Sequence, residues 1–319
     1  MKYKLKKIKS DASFREFFRL EKGNKTSIII TARKERFKNL IAYSAINKFL
    51  RDKGIHAPKT ISQHFSDGIM EIEDFGNNTL LHFVRQSKNI FPLYKKSIDV
   101  IVKLQKIKPI NKIKIQSYRN LKLNTYNLRN LHKESDLFLN WYLPGTIGKT
   151  KSKKFKTKIK TELNKLYKKI YFENKFIVHR DFHVSNIMPV KNKLGIIDTQ
   201  DAILGNPMYD VASLIDDVRI QIPLSVKNKI FQYYFKKSYL KKNMHFLKND
   251  FDILSIQRNL KILGIFTRLH VRDKKSSYLK FFPYTWKLIE MRLKNPIFLN
   301  LKTLIDELVS KTKRKRKIF

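Results

Sequence analysis

The sequence predicts an α+β chain: a small β-rich lobe over residues 1–75 and a larger, mainly helical lobe over 76–319. Three observations carry this. Short β-rich runs crowd the first 75 residues, helical spacing of apolar side chains dominates afterwards, and the change falls at the glycine-ended stretch Glu73–Gly76. In chain order, KYKLKKI, REFFRL and TSIIITA read as strands, separated by the turn-like segments SDAS and EKGNK. Phe37, Leu40, Ile41, Ala45 and Phe49 then keep one helical face, closed by Gly54. GIMEIEDFG, residues 68–76, reads as a further strand. Residues 149–170 form the most basic internal segment, yet Phe155, Ile159, Leu163, Leu166 and Ile170 line one face, as in an amphipathic helix with a solvated lysine side. The tail KTKRKRKIF reads as a disordered end or a loose polyanion contact.

The formal net charge of +43 comes from 69 Lys and Arg against 26 acidic residues. Such an excess suits nucleic acid or an anionic membrane. Lys, Asn and Ile are enriched together along the whole chain, however, so the excess reads as lysines on solvated faces rather than as one nucleic-acid footprint. With 42% apolar residues, 23 Phe and 14 Tyr, the composition is globular. The absence of cysteine excludes disulfides, thiol nucleophiles and thiolate metal sites. MKYKLKKIKSDASF lacks the apolar stretch of a secretory signal, and no uncharged apolar run approaches the ~18 residues of a membrane span. A soluble, cytoplasmic protein is the expectation; oligomeric state is not set by the sequence.

The chemistry concentrates in FIVHRDFHVSNIMPVKNKLGIIDTQDA, residues 176–202. An apolar run leads into His179-Arg180-Asp181, Asn186 follows five positions after Asp181, and a hairpin of IMPV and LGII delivers Asp198. This is the form of a kinase catalytic loop followed by a metal-binding aspartate. Phosphoryl transfer needs a divalent metal on the outer phosphates, and Mg²⁺ prefers carboxylate and amide oxygens. Asp198 supplies the carboxylate, Asn186 an uncharged oxygen, and Asp181 is left to take the acceptor's proton. His179 reads as a packed histidine that holds the loop.

The acceptor is expected to be a small molecule. None of the nine glycines lies between the first two strands, so there is no Gly-rich phosphate loop; Ser13 of the turn SDASFREFFR, with Arg15 or Arg19 for charge, stands in its place. Only twelve positions separate Asp198 from Asp210, which leaves no room for a long peptide-docking segment.

HRDFHVSN with IIDTQDAILGNPMYDVASLIDDVR is similar to the aminoglycoside phosphotransferase and choline-kinase-like superfamily. SDASFREFFRL, MEIEDFG, FLNWYL, TQDAILGNPMYD and QRNLKILGIFTRLHVRDKKSSYL further resemble the bacterial N-acetylmuramate/N-acetylglucosamine 1-kinases, over residues 10–279. The resemblance implies a two-lobed protein-kinase-like fold, ATP and Mg²⁺ as cofactors, and phosphorylation of the anomeric hydroxyl of a cell-wall amino sugar. It implies Asp181 as catalytic base, Asn186 and Asp198 as metal ligands, and Asp210 as a buried brace. Glu71–Phe75 resembles the hinge beside adenine, which makes Glu73, Asp74 and Phe75 nucleotide-site residues acting through their backbone. His183 and Asp201 join the sugar-site candidates.

One departure concerns the usual strand lysine and its helix glutamate. The strand runs TSIIITARK and the helix from Phe37 to Leu50 holds no acid, so Arg15, Arg19, Arg33 and Lys34 all stand as candidates for the phosphate cation. A lactyl carboxylate would need an arginine, and Arg219, Arg258 and Arg268 are the candidates, each equally readable as structural. Trp141 and Tyr142 suit either a sugar face or a core. Other small alcohols (an aminoglycoside, choline or homoserine) remain alternative acceptors, as does a degenerate kinase acting as a binding protein. A nucleic-acid partner rests on charge alone.

Overall fold

The computed structural model describes residues 3–8, 15–32, 38–110, 112–115, 120–240 and 244–315. They fall into two compact units, one of residues 1–124 with 176–204 and one of 125–175 with 205–319. The boundary expected at residue 75 lies inside the first unit, where the helices after Gly76 and the segment 176–204 cluster with the sheet.

In the first unit, β1 (Tyr3–Ile8), β2 (Glu16–Lys22), β3 (Lys25–Thr31), β4 (Thr60–His64) and β5 (Ile69–Glu73) form one antiparallel sheet in the order β1-β2-β3-β5-β4. Gly23, at φ +56°, enters the two-residue turn between β2 and β3, a conformation that L side chains resist. The register sets Ile30 opposite both Phe17 and Met70, and Ile28 opposite Ile72. That face packs on α1 (Lys38–Asp52), so Ile28, Ile30, Met70 and Ile72 share a core with Leu40, Ile41 and Tyr43. The four expected strands and the helix are thus present; Phe37 itself lies outside the described residues. β4 is an addition. TISQH is polar, half exposed and paired only with β5, through an irregular register, so its sequence carries no clean alternation.

The unit continues with α2 (Leu80–Gln86), α3 (Phe91–Lys106) and the short ribbon of β6 (Lys112–Ile113) and β7 (Leu121–Lys122). After residue 175 come β8 (Phe176–Val178), the predicted hairpin of β9 (Ile187–Val190) and β10 (Lys193–Ile196), and β11 (Ile203–Gly205), which pairs with β8.

The second unit is helical: α4 (Leu128–Leu137), α5 (Leu143–Ile147), α6 (Lys149–Tyr167), α7 (Met208–Ile215), α8 (Leu224–Lys237), α9 (Met244–Val271), α10 (Phe282–Arg292), α11 (Leu299–Leu308) and α12 (Lys311–Lys315). α6 buries Phe155, Ile159, Leu163 and Leu166, the face its periodicity predicts. α9 is buried almost all round and packs on α4, α7, α10 and the π-helical turn Phe138–Tyr142. Gly264 permits that crossing, because a Cβ there would overlap the backbone of Leu137 and Phe138.

Buried polar networks fix these helices. Glu134 accepts from Tyr126 (2.7 Å), Tyr209 (3.1 Å) and Gln257 (3.2 Å), and pairs with Lys261 at 3.0 Å. Asp216 binds Lys227 and Arg292, each at 2.8 Å, and accepts from Ser255. Tyr142 belongs to the core: its ring stacks on Phe138 and its hydroxyl accepts from Trp286 Nε1 at 2.7 Å, so its face is closed to a sugar. The described part of the basic tail, Lys311–Lys315, is helical. Arg314 is buried over the Trp286 ring and donates to Val309 O, Ile305 O, Asp306 and Glu290, which leaves it no role in a loose polyanion contact. Among the described residues, no helix is long and apolar enough to cross a membrane.

Candidate active site

In the first unit one chain of hydrogen bonds links Asp181, Asn186 and Ile197, the residue before Asp198. β8 delivers Asp181, and the Asp181 carbonyl accepts from His183 N–H and from the Asn186 side-chain amide, both at 3.0 Å. The Asn186 amide nitrogen is thereby spent on the loop, and its oxygen is the atom available to a cation. Asn186 O accepts from Ile197 N–H at 3.0 Å, and His179 Nε2 meets Ile197 O at 2.9 Å, which ties the loop to the residue before Asp198. α2 braces the other side, Leu81 N–H donating to Val184 O at 3.0 Å. His179 is therefore the loop-holding histidine its setting suggests.

The backbone is strained at and beside the candidate residues. Arg180 has φ +75° and Asp198 φ +64°, left-handed values that cost a non-glycine residue of order 1 kcal/mol each and persist only where the surroundings over-determine them. At Asp198 the surroundings are Arg15, Tyr43 and the neighbouring turn. Arg15 donates to Asp198 Oδ1 at 2.5 Å and to Gln200 Oε1 at 2.9 Å. Burial, and then the Asp198 carboxylate, push the Tyr43 phenol up to about 12. Thr199 donates to Asn47 Oδ1 at 2.6 Å. α1 thus turns Tyr43 and Asn47, one turn apart and both uncharged, toward the Asp198 segment, where a protein kinase would carry its glutamate.

The hinge stretch engages all its side chains. Arg19 grips Asp74 with two nitrogens, Nε at 2.6 Å and Nη2 at 3.0 Å, and also donates to Asn77 and to Gly76 O. Burial would raise the Asp74 pKa, but Arg19 and the Gly76 N–H hold it below the usual carboxylate range. Glu73 accepts from Lys59 N–H at 3.2 Å and Arg51 at 3.3 Å. The Phe75 ring is buried against His56, 4.6 Å between centroids, and a Cβ at Gly195 would overlap it.

Of the residues expected to bind nucleotide phosphates, Ser13, Arg33 and Lys34 lie outside the described residues. Arg15 reaches Asp198, whereas Arg19 is committed to the hinge. His183 is buried in the catalytic loop, and Asp201 is exposed on the turn Thr199–Asp201, paired with Gln200 Nε2 at 2.9 Å. Arg219, Arg258 and Arg268 belong to the second unit. Arg219 is paired with Asp217 at 2.9 Å, Arg258 is buried beside the Tyr209 ring, and burial lowers the pKa of Arg268. The residues the sequence reading missed are Tyr43, Asn47 and Gln200. The first two carry only the faint signal of polar groups four apart on a helix's apolar face.

Asp198 and Asn186 are hard oxygen donors of the kind Mg²⁺ prefers. Among the described residues, no group of three His, Asp or Glu is placed to hold an ion by protein ligands alone, so phosphate oxygens and water would complete the shell.

A family model described as the phosphotransferase enzyme family, APH, matches residues 4–247. The chain is 29% identical over 308 residues to an N-acetylmuramate/N-acetylglucosamine kinase of Pseudomonas putida, which spans 94% of this chain and 86% of that protein. To the protein of that name from Pseudomonas aeruginosa it is 26% identical over 286 residues, 88% of this chain and 81% of that one. Among solved structures, a choline/ethanolamine kinase family protein from Mesorhizobium loti has a TM-score of 0.63 at 10% identity, over 95% of this chain and 92% of the other. A spectinomycin phosphotransferase, solved with ADP and spectinomycin, has a TM-score of 0.62 at 14% identity, over 91% and 92%. The fold is therefore kinase-like, and with the family model matched over most of its length the chain belongs to the phosphotransferase enzyme family.

Proposed function

We propose that the protein transfers the terminal phosphoryl group of ATP to the anomeric hydroxyl of N-acetylmuramate or N-acetylglucosamine, in a cytoplasmic route that recycles cell-wall sugars. The observation that carries the reaction type is the hydrogen-bonded loop linking Asp181, Asn186 and Ile197, the residue before Asp198. The sugar is suggested by the printed activity of the relatives from the two Pseudomonas species.

In this reading Asp181 accepts the proton of the sugar hydroxyl as the new P–O bond forms, and the loop bonds to its carbonyl hold it in place. Asn186 and Asp198 hold Mg²⁺, which when bound neutralises charge on the outer phosphates. With the Glu73, Asp74 and Phe75 side chains engaged elsewhere, the hinge addresses adenine through its backbone. His183 and Asp201, within the same unit, are sugar-site candidates. Arg219, Arg258 and Arg268, all in the second unit, are the candidates for a lactyl carboxylate.

The test is ATP consumption with Mg²⁺ against N-acetylmuramate, N-acetylglucosamine, spectinomycin and choline, in the wild type and Asp181→Asn. Turnover of the amino sugars is expected, lowered roughly 10²- to 10⁴-fold in the variant. Equal turnover by both on every acceptor would remove the enzymatic reading. Phosphorus NMR of the product should show the 1-phosphate; a 6-phosphate would overturn the anomeric assignment alone.

A further inference from the structure

Arg15 is the only lysine or arginine of the first unit that is buried among the described residues, at 6% exposure. Its guanidinium spans Asp198 Oδ1 at 2.5 Å and Gln200 Oε1 at 2.9 Å, and it sits 5.5 Å from the Phe17 ring and 5.9 Å from the Tyr43 ring. Two charge-accepting oxygens and two aromatic neighbours hold the charge at a fixed place. That place is beside the carboxylate just assigned to the metal.

A carboxylate with a guanidinium on one oxygen presents little net negative charge. Asn186 adds a neutral oxygen, and among the described residues no group of three His, Asp or Glu side chains is placed to hold an ion. At Asp198 a bare divalent cation would therefore meet a largely balanced carboxylate with a fixed positive group next to it. A cation carried on a nucleoside triphosphate differs in sign, because that complex is net negative and the same guanidinium attracts it. The effect of Arg15 on metal binding thus reverses with what the ion brings along.

Resting on the phosphotransferase reading of Asp198, we infer that Arg15 makes metal capture nucleotide-dependent. It is a positioning residue that holds Asp198 by Oδ1, weakens the site for a free divalent ion and strengthens it for the ion–nucleotide complex. In doing so it provides the fixed cation that the strand lysine and helix glutamate provide in protein kinases, a pair that α1, without any acid before Asp52, cannot form.

The test is Mn²⁺ binding, read from loss of the free-ion EPR signal, alone and with AMP-PNP. It compares wild type, Arg15→Gln, Arg15→Lys and Asp198→Asn, with a thermal melt of each. Arg15→Gln is expected to bind free Mn²⁺ about tenfold more tightly and the Mn²⁺–AMP-PNP complex about tenfold more weakly. Arg15→Lys should keep free Mn²⁺ near wild type. If Arg15→Gln melts early, Arg15→Met, which keeps an apolar stem between Phe17 and Tyr43, takes its place with the same expectation. A purely structural Arg15 would move both affinities together, so joint loss, or no change in either, overturns the inference. So does an Arg15→Lys that behaves as Arg15→Gln does. Normal complex binding by Asp198→Asn would overturn the metal-site reading and this inference with it. A loss there without the opposed response at Arg15 overturns the inference alone.

Discussion

Arg19 shows how one side chain's partner decides its role. From sequence it is a candidate for the phosphates; in the fold it closes on Asp74, Asn77 and Gly76 O, and joins β2 to the segment after β5. Arg19→Ala would leave a carboxylate only 3% exposed without its cation, at a cost of roughly 2–3 kcal/mol. Denaturant melts should show that loss, and the KM for ATP should rise while that for the sugar stays unchanged. A variant as stable as wild type would mean that Asp74 finds another donor. The Asp181, Asn186 and Asp198 trio was legible because its members lie within eighteen residues and their spacing is itself the motif. The Arg15–Asp198 pair was not, since 183 residues separate its members and nothing local marks either for the other.

The elements give a physical account of the motif QRNLKILGIFTRL. Gln257 and Lys261 close on Glu134 of α4, Asn259 donates to Ser255 O at 2.8 Å, and Gly264 lets α9 meet the π-helical turn. Much of what makes this stretch distinctive thus locks one helix against its neighbours. Gly264→Ala should overpack that crossing and cost about 2 kcal/mol, read as a lowered thermal midpoint. An unchanged midpoint would show that the π turn can recede. Helical periodicity foretold α6 because that helix has one wet face. It was a weak guide for α9, whose burial nearly all round leaves no polar side to set the period.

At the scale of the whole molecule, buried charges of the two signs come in nearly equal numbers. Among the described residues six acids (Glu134, Asp210, Asp216, Asp217, Asp250 and Asp252) are buried alongside five basic side chains (Arg15, Lys227, Arg258, Arg292 and Arg314), so burial leaves the surface excess close to the formal +43. Burial alone would raise the Asp216 pKa, but Lys227 and Arg292 hold it well below the usual range. A carboxyl depressed on folding stabilises the protein above its unfolded pKa, near 3.9, and that contribution is lost as pH falls toward the folded value. At the other end, burial pushes Tyr43, Tyr142 and Tyr284 up to about 12, so the folded state keeps protons that the unfolded chain releases above about 10. Thermal midpoints across pH should therefore hold steady through neutrality, fall below about 4 and fall again between about 10 and 12. Asp216→Asn should lower the neutral midpoint and flatten the acid limb; an unaltered acid limb would assign it to other carboxylates.

The sequence by itself determined the strands and helix of the first unit, the hairpin after Asn186 and the candidates for base and oxygen donors. Those rest on local periodicity and on spacings of a few residues, which the chain carries wherever it folds. Only the tertiary structure decided which cation serves Asp198, that Arg19 belongs to the hinge, that Tyr142 is core and that the basic tail docks through Arg314. Each of those depends on partners distant in sequence, and with 69 lysines and arginines competing for 26 acids, burial and geometry alone select which pairs form.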